Sequence, residues 1–320
     1  MVHLRNEFAP EGFAMITIRQ PSLRQFVRRM RSSEFPLAVI VGAQRSGTTW
    51  LQLLCAAHPR LAGGEESHLF SHYLGNLNNQ YYADYYSQEK LPRPQGLPCY
   101  VTMDRWTALM REMAVSILEP LLEAKPQAKL VVEKTPDHVK HLAFIRQLFP
   151  QCRIVHVVRD ARDVVVSQIE ASRRKWGEDW AASDATEAAS RWAKWVESAR
   201  QFRKPASLYH EVRYENLISD GAQTLQEVFR FLGVPLPTPA VEAIYNQFPI
   251  EACRDDTAPQ VLLRLGESGK KPAAPTAAGF FRTGQAGGWR SALSDEDRST
   301  VESVAGNLLR ELGYETASHA

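Results

Sequence analysis

Apolar residues gather in four short blocks along the chain: "LAVIV" (37–41), "KLVVE" (129–133), "RIVHVV" (153–158) and "SLYHEVRY" (207–214). Each is too short for a helix and rich in β-branched or aromatic residues, so each predicts a strand. Between them, apolar positions recur at helical spacing near 48–58, 105–124, 138–149, 162–175, 183–203 and 221–232. Apolar strands alternating with helices predict an α/β fold, a parallel sheet flanked by helices. A last helix starts near Ser294, where Ser294 and Asp297 have the spacing of a cap, and runs to about Leu312.

Two stretches break this rhythm. Residues 68–104 hold six of the ten tyrosines, and residues 264–290 are rich in Gly, Pro and Ala. Irregular segments of this length inside a domain are lids or binding loops, so the first is expected on the substrate side and the second over a bound cofactor. No internal repeat and no clear linker interrupts the chain, which predicts one domain over 1–320 with an extension at 1–35.

Composition narrows the class. With 44% hydrophobic and 23% charged residues, the chain is that of an ordinary soluble protein. A net charge of +2 argues against bulk electrostatic binding to nucleic acid. Cys55, Cys99, Cys152 and Cys253 are scattered, without a Cys-x-x-Cys pair, which disfavours a zinc site or a disulfide framework and fits a reducing compartment. No apolar run reaches the roughly 20 residues that span a bilayer, and the N-terminal segment has no signal-peptide core. No Asn-x-Ser/Thr sequon occurs, and "PSLRQFVRRMRSS" (21–33) reads as a basic amphipathic helix packed on the domain rather than lying on a membrane. A cytoplasmic location is expected.

The candidate chemistry begins where the first predicted strand ends. Gly42 to Thr49 reads G-A-Q-R-S-G-T-T, a strand-to-helix turn with Thr48 where an ATP-binding loop carries lysine. Backbone N–H groups at the head of the next helix form an anion nest, with hydroxyls from Ser46, Thr48 and Thr49 and a fixed charge from Arg45. Taken alone, the string also fits a tight turn that binds nothing. The predicted strand at 153–158 ends in Arg159 and Asp160, at the carboxyl edge where open α/β sheets bind ligands. Ser167 follows eight residues later, about one turn into the next helix, so Arg159 and Ser167 can grip one phosphate. Alone, Arg159 reads rather as a surface partner of Asp160 or Asp163.

Together these strings resemble the sulfotransferases that use 3′-phosphoadenosine 5′-phosphosulfate (PAPS). "GAQRSGTTW" is similar to that family's 5′-phosphosulfate loop and "VVRDARDVVVS" to its 3′-phosphate motif. "VRYENL" (212–217) resembles the segment whose tyrosine contacts adenine, and "RTGQAGGWR" (282–290) the late loop that closes over the nucleotide. The resemblance implies a P-loop-like fold, PAPS as cofactor, adenosine 3′,5′-bisphosphate (PAP) as product, and no requirement for a metal. It implies that Arg45, Ser46, Gly47, Thr48 and Thr49 hold the 5′ end, and that Arg159, Ser167, Arg282 and Gly284 hold the 3′-phosphate. Tyr214 would contact the base and Trp50 would stack on it, although Trp50 also fits a core position.

Sulfuryl transfer is an in-line displacement that needs a general base and cations at the leaving oxygen. Histidine-based relatives carry K-T-H; here the string is "EKTPDHV", with Pro136 in the histidine's place. "GGEESHLF" (63–70) resembles the string that carries the catalytic glutamate in carbohydrate and tyrosylprotein sulfotransferases. That resemblance implies Glu66 as the base, Glu65 as an exposed neighbour, Lys134 at the transferring group and His68 on the substrate side. His138 is the reserve base. Without the resemblance, Glu65 and Glu66 read as solvated charge and Lys134 as an ordinary lysine after a strand.

The acceptor expected from these strings is a hydroxyl or amine on a small molecule, carbohydrate or lipid. Tyr73, Tyr81, Tyr82, Tyr85, Tyr86 and Tyr100 are candidates for its aromatic wall or for simple packing. Two other readings stay open, a P-loop kinase or NTPase and a catalytically silent nucleotide-binding protein.

Overall fold

The computed structural model describes residues 34–266, 277, 279–282 and 284–316. The expected helix at 21–33 and part of the expected late loop lie outside them. Five parallel strands form one sheet: β1 (Leu37–Val41), β2 (Leu61–Ala62), β3 (Leu130–Lys134), β4 (Arg153–Val158) and β5 (Tyr209–Arg213), in the order β2-β3-β1-β4-β5. In register, Leu37 faces Val131 and Ala38 faces Arg153, so β1 is paired on both sides.

The apolar blocks have so little polar interruption because each strand serves two cores. Leu37, Val39, Val41, Val131, Ile154 and Val158 enter one hydrophobic layer. Ala38, Ile40, Leu130, Val132, Val155, Val157 and Val212 enter the other. The chain moves outward from β1 to the β2 and β3 side, then crosses to β4 and β5, so the connections diverge at the carboxyl end of β1. That crevice is where ligands sit in open α/β sheets.

The expected helices are present as Thr48–Ala57, Met103–Ala124, Ala161–Ser172, Ala185–Arg200 and Gly221–Phe231. The stretch expected at 138–149 divides into a 3₁₀ turn at Pro136–His141 and a short helix at Leu142–Leu148. The last helix is Asp295–Glu311, and its Ser294 cap accepts from the Asp297 amide at 3.0 Å.

Residues 68–104 differ from expectation. They contain a π-helix at Leu69–Tyr73 and an α-helix at Leu74–Ser87. Only Leu74, Gly75 and Tyr81 of the α-helix are buried, so its apolar stripe is too thin to stand out among Asn, Gln and Tyr. Helices at Thr238–Gln247 and Ile250–Arg254, and the two-residue strand β2, were likewise not expected.

Candidate active site

The site is built at the carboxyl ends of β1, β3, β4 and β5. Leaving β1, the chain turns through Arg45, held in the left-handed region at φ 73°, and Gly47 at φ 93°. A Cβ on Gly47 would stand 2.4 Å from the Tyr214 ring, so glycine is required there by both backbone and space. The helix Thr48–Ala57 then starts with no side-chain cap and no acidic residue in its first turn. Its leading N–H groups and positive dipole end are left facing the cleft, as an anion requires.

Three arginines converge on this point. Arg45 Nε donates to Ser167 Oγ at 2.9 Å, Nη2 donates to the Phe280 carbonyl, and the guanidinium lies over the Trp176 and Phe280 rings. Burial, then the nearby charges of Arg159 and Arg282, pull its pKa down to about 10. Arg159 donates to the carbonyls of Arg45 at 3.2 Å and Gln285 at 2.9 Å, and covers the Tyr214 ring at 4.3 Å. It pairs with neither nearby aspartate, because Asp160 is taken by Arg162 at 2.8 Å.

Among the described residues, Ser46 Oγ, Arg159 Nε, and Nε and Nη2 of Arg282 are buried without a hydrogen-bond partner. A buried donor left unmade costs about 1–3 kcal/mol. Crowded cations and orphaned donors at one strand edge fit a multiply charged oxyanion, and the residues present therefore fit the two phosphate ends of PAPS.

The last part of the cleft wall arrives from far along the chain. Tyr214 donates to the Gly284 carbonyl at 3.0 Å, and Asp163 accepts from the amides of Gly287 at 2.7 Å and Trp289 at 3.0 Å. Gly284 has φ 69°, and a Cβ there would meet Ile250 at 2.4 Å. Arg282 is placed beside Asp163 at 4.0 Å and Glu170 at 3.4 Å. Asp163 is thus a positioning residue that the sequence reading assigned no role. Trp50 lines the cleft but is nearly buried, with its indole N–H donating to the Phe248 carbonyl at 2.7 Å and its ring between Tyr214 and Tyr245.

On the other side of the loop stands the pair assigned to chemistry. Lys134, buried at the end of β3, donates to Thr49 Oγ1 at 3.1 Å and to Glu66 Oε1. One ammonium therefore links the anion loop to the candidate base. Glu66 is about one-third exposed, with Oε2 3.9 Å from His68 Nε2. His68 adopts a left-handed backbone at φ 51°, and its ring stacks on His72 at 4.4 Å. Burial, then His72, pushes the His68 pKa down, against the pull of Glu66.

Glu65 points elsewhere and is paired with Arg264 at 2.6 Å. The reserve base, His138, is not in the cleft. It is fully buried, accepts from the Phe70 amide on Nε2 at 3.1 Å, and has Nδ1 2.7 Å from Glu133 Oε2. Its Nε2 is taken up by the Phe70 amide and its Nδ1 lies against the Glu133 carboxylate, so neither nitrogen faces the cleft. Burial pushes the Glu133 carboxyl up, but His138, Ser67 and Thr135 outweigh it and hold it below the usual range.

The cleft holds about 1110 Å³ and brings together Arg45, Gly47, Thr48, Thr49, Trp50, Glu66, His68, Lys134, Arg159, Ser167, Tyr214, Arg282 and Gly284. Its aromatic wall is not the tyrosine cluster. Tyr81 stacks on Trp106 at 4.5 Å inside the fold, while Tyr73, Tyr86 and Tyr100 face solvent. The wall is made by Trp176, Trp180, Trp195 and Phe280 instead. The signal was present as two tryptophans four residues apart in "KWGEDW", which lies in the turns between the helices Ala161–Ser172 and Ala185–Arg200. Among the described residues no group of three or more His, Cys, Asp or Glu side chains gathers as a metal site.

The chain is similar to known proteins. The sequence model described as the Sulfotransferase family matches residues 36–238. Protein-tyrosine sulfotransferase 1 of Danio rerio is 26% identical over 206 residues, 64% of this chain and 55% of that protein. The Homo sapiens protein of the same name is 31% identical over 137 residues, 42% of this chain and 34% of that protein. The chain thus spans about half the length, or less, of these curated relatives. In fold it is similar to the sulfotransferase domain of the Synechococcus PCC 7002 olefin synthase, with TM-score 0.52 and 20% identity over 88% of this chain and 95% of that one. It is also similar to a mouse sulfotransferase solved with PAP, with TM-score 0.53 and 15% identity over 88% of this chain and 89% of that one.

Proposed function

Since the chain belongs to the sulfotransferase family, we propose that it transfers the sulfuryl group of PAPS to a hydroxyl, or an amine, of a small-molecule, carbohydrate or lipid-like acceptor. The observation that carries this reading is Lys134, whose ammonium touches both Thr49 of the anion loop and Glu66. It puts a candidate base next to the place where the donor's reactive end belongs.

When bound, PAPS supplies a sulfuryl group whose bridging oxygen leaves with the 5′-phosphate. The chain's own residues do the rest. Gly47, Thr48 and Thr49 offer backbone amides and hydroxyls to the 5′ end, with Arg45 and Lys134 neutralising charge on the leaving oxygen. Arg159, Ser167 and Arg282 hold the 3′-phosphate, with Gly284 keeping the backbone close, while Tyr214 and Trp50 wall the base. Glu66 Oε2 accepts the acceptor's proton, its Oε1 being held by Lys134. His138 is buried outside the cleft, and of the side chains that line the cleft Glu66 is the one tied to Lys134.

One sheet with a core on each face supports treating 1–320 as a single sulfotransferase domain. The four cysteines are free thiols, three of them buried, which supports a reducing, cytoplasmic setting. No helix of the described residues is long and apolar enough to cross a membrane.

The direct test is thermal. PAP at a hundred times its Kd raises stability by about 2.7 kcal/mol, and adenosine 5′-phosphate raises it far less. Equal stabilisation by ATP with Mg²⁺ overturns the proposal in favour of a kinase or NTPase. Transfer of radiolabel from PAPS to a panel of sugar, lipid-like and tyrosine-peptide hydroxyls then identifies the acceptor class.

A further inference from the structure

A second cavity of about 680 Å³ opens beside the cleft, between the helices Leu74–Ser87 and Met103–Ala124. Leu69, Leu74, Leu77, Met113 and Ile117 line it, with Tyr73 at its rim. Four of the ten exposed large apolar side chains among the described residues meet here: Tyr73 at 64%, Leu77 at 46%, Met113 at 43% and Ile117 at 50%. They are two pairs at helical i, i+4 spacing, Tyr73 with Leu77 and Met113 with Ile117, facing one another across the groove. Scattered apolar residues on a surface need no explanation, but a lined patch marks a binding surface.

The groove adjoins the cleft of the candidate site. His72 lines both cavities, and its ring stacks on His68, which stands 3.9 Å from Glu66 Oε2. This junction is built from unusual backbone, a left-handed His68 followed by the π-helix Leu69–Tyr73. Single π turns and left-handed non-glycine residues are costly and concentrate at functional sites. Ser67, next in sequence to Glu66, also reaches the groove wall.

Resting on the sulfotransferase reading above, we propose that this groove takes the hydrocarbon chain of the acceptor, and that the acceptor is an alcohol with a long alkyl tail. Its hydroxyl lies at Glu66 and its tail passes the His68–His72 stack into the groove. The chemistry is unchanged: the alcohol oxygen bonds to sulfur, the bond from sulfur to the 5′-phosphate oxygen breaks, and the proton goes to Glu66. The lining has no Asp, Glu, Lys or Arg, and its polar members are Ser67, His72, Asn76 and Gln80, so a charged peptide has few groups to pair with there.

The test measures equilibrium binding of linear alcohols from 1-hexanol to 1-dodecanol to the full chain saturated with PAP, by displacement of a fluorescent dodecyl probe. A fully buried methylene contributes about 0.8 kcal/mol, close to fourfold in affinity. In a groove open on one side, affinity is expected to rise by about twofold per methylene. The double variant Leu77→Asp and Ile117→Asp alters two exposed positions. It should flatten that series while leaving the PAP melting shift intact.

Affinity that ignores chain length in the full chain overturns the proposal, as does an unchanged series in the double variant. Binding to neutral phosphatidylcholine vesicles that the double variant loses, with soluble alcohols ignored, assigns the groove to a membrane surface and also overturns it. Failure of PAP to stabilise the protein, with alcohol binding intact, sinks the sulfotransferase reading alone.

Discussion

The two ends of the cleft are made differently. At the donor end, Ser46, Thr48, Lys134, Arg159 and Ser167 are all buried, and Lys134, Arg159 and Ser167 are held by a hydroxyl, a backbone carbonyl and Arg45 respectively. At the acceptor end, Glu66 and His68 are about one-third exposed, and beyond them lie the solvent-facing side chains of the helix Leu74–Ser87. A fixed polyanion rewards preorganised, desolvated donors, because their geometry never has to change between substrates. An acceptor that differs from one enzyme to another needs only a shaped wall and one positioned base. On the proposed assignment, the difference puts rigidity at the sheet and acceptor specificity on the helices added to its rim.

Glu66 is where the two ends meet, and it carries the largest expected effect. Glu66→Gln keeps the shape but removes the proton acceptor, so turnover should fall by about 10²–10⁴, with the PAP melting shift unchanged. Glu65→Gln, whose carboxylate already faces Arg264, should change turnover little. Retained turnover in Glu66→Gln would show that the donor end alone drives catalysis and dissolve the contrast.

His138→Ala separates fold from chemistry. Removing one partner of its buried contact with Glu133 should destabilise the protein by about 3–5 kcal/mol in denaturant unfolding. Turnover per folded molecule should stay within a few fold. A collapse in turnover with stability intact would move the base from the acceptor end to the 3₁₀ turn that follows β3.

His58 provides a control outside both ends. It is buried, its Nε2 lies 2.8 Å from the Val234 carbonyl, and burial lowers its pKa to about 4. The unfolded chain binds a proton near pH 6.5 and the folded chain does not, so stability is full above that pH. It is lost progressively as pH falls from 6.5 toward 4, by on the order of 3 kcal/mol. Thermal unfolding across that window should show the loss, and His58→Gln should reduce it, leaving the share of His156, His141 and His210, without touching PAP binding.

Arg159→Ala gives the smallest effect and the most local one. A charge-assisted hydrogen bond contributes about 1.5–3 kcal/mol, so PAP should bind about ten- to a hundredfold more weakly. The form lacking the 3′-phosphate should bind almost unchanged. Equal losses for both nucleotides would mean that Arg159 only supports Tyr214 and Gln285.

How much of this could be read beforehand follows the same division. The five-residue block 37–41 and the block 153–158 coincide with β1 and β4, because a strand buried on both faces leaves an uninterrupted apolar signature. The placement of the loop Gly42 to Thr49, Arg159 and Ser167 at the cleft was legible because the carboxyl edge of a strand and the first turns of a helix are set by local spacing. The acceptor end was not. Glu66 stood out only by resemblance, since an adjacent Glu65 of the same type does something unrelated.

The helix Leu74–Ser87 was read as a loop because three buried residues give no visible period. The tyrosines drew attention by number, whereas the cleft wall came from tryptophans in an unremarked turn. Asp163 could not be distinguished from a surface partner, because its role depends on amides more than a hundred residues away.

The fastening of residues 284–289 has a consequence for timing. Their carbonyls and amides rest on Arg159, Tyr214 and Asp163, all belonging to the strand-to-helix junctions that carry the donor end. On the proposed assignment, spent nucleotide touches the same side chains that hold this segment down. Its departure and the loosening of the segment are then one event rather than two. Such an enzyme lets go slowly and is restrained by its own product, and its pace would follow solvent viscosity more closely than the reactivity of the acceptor.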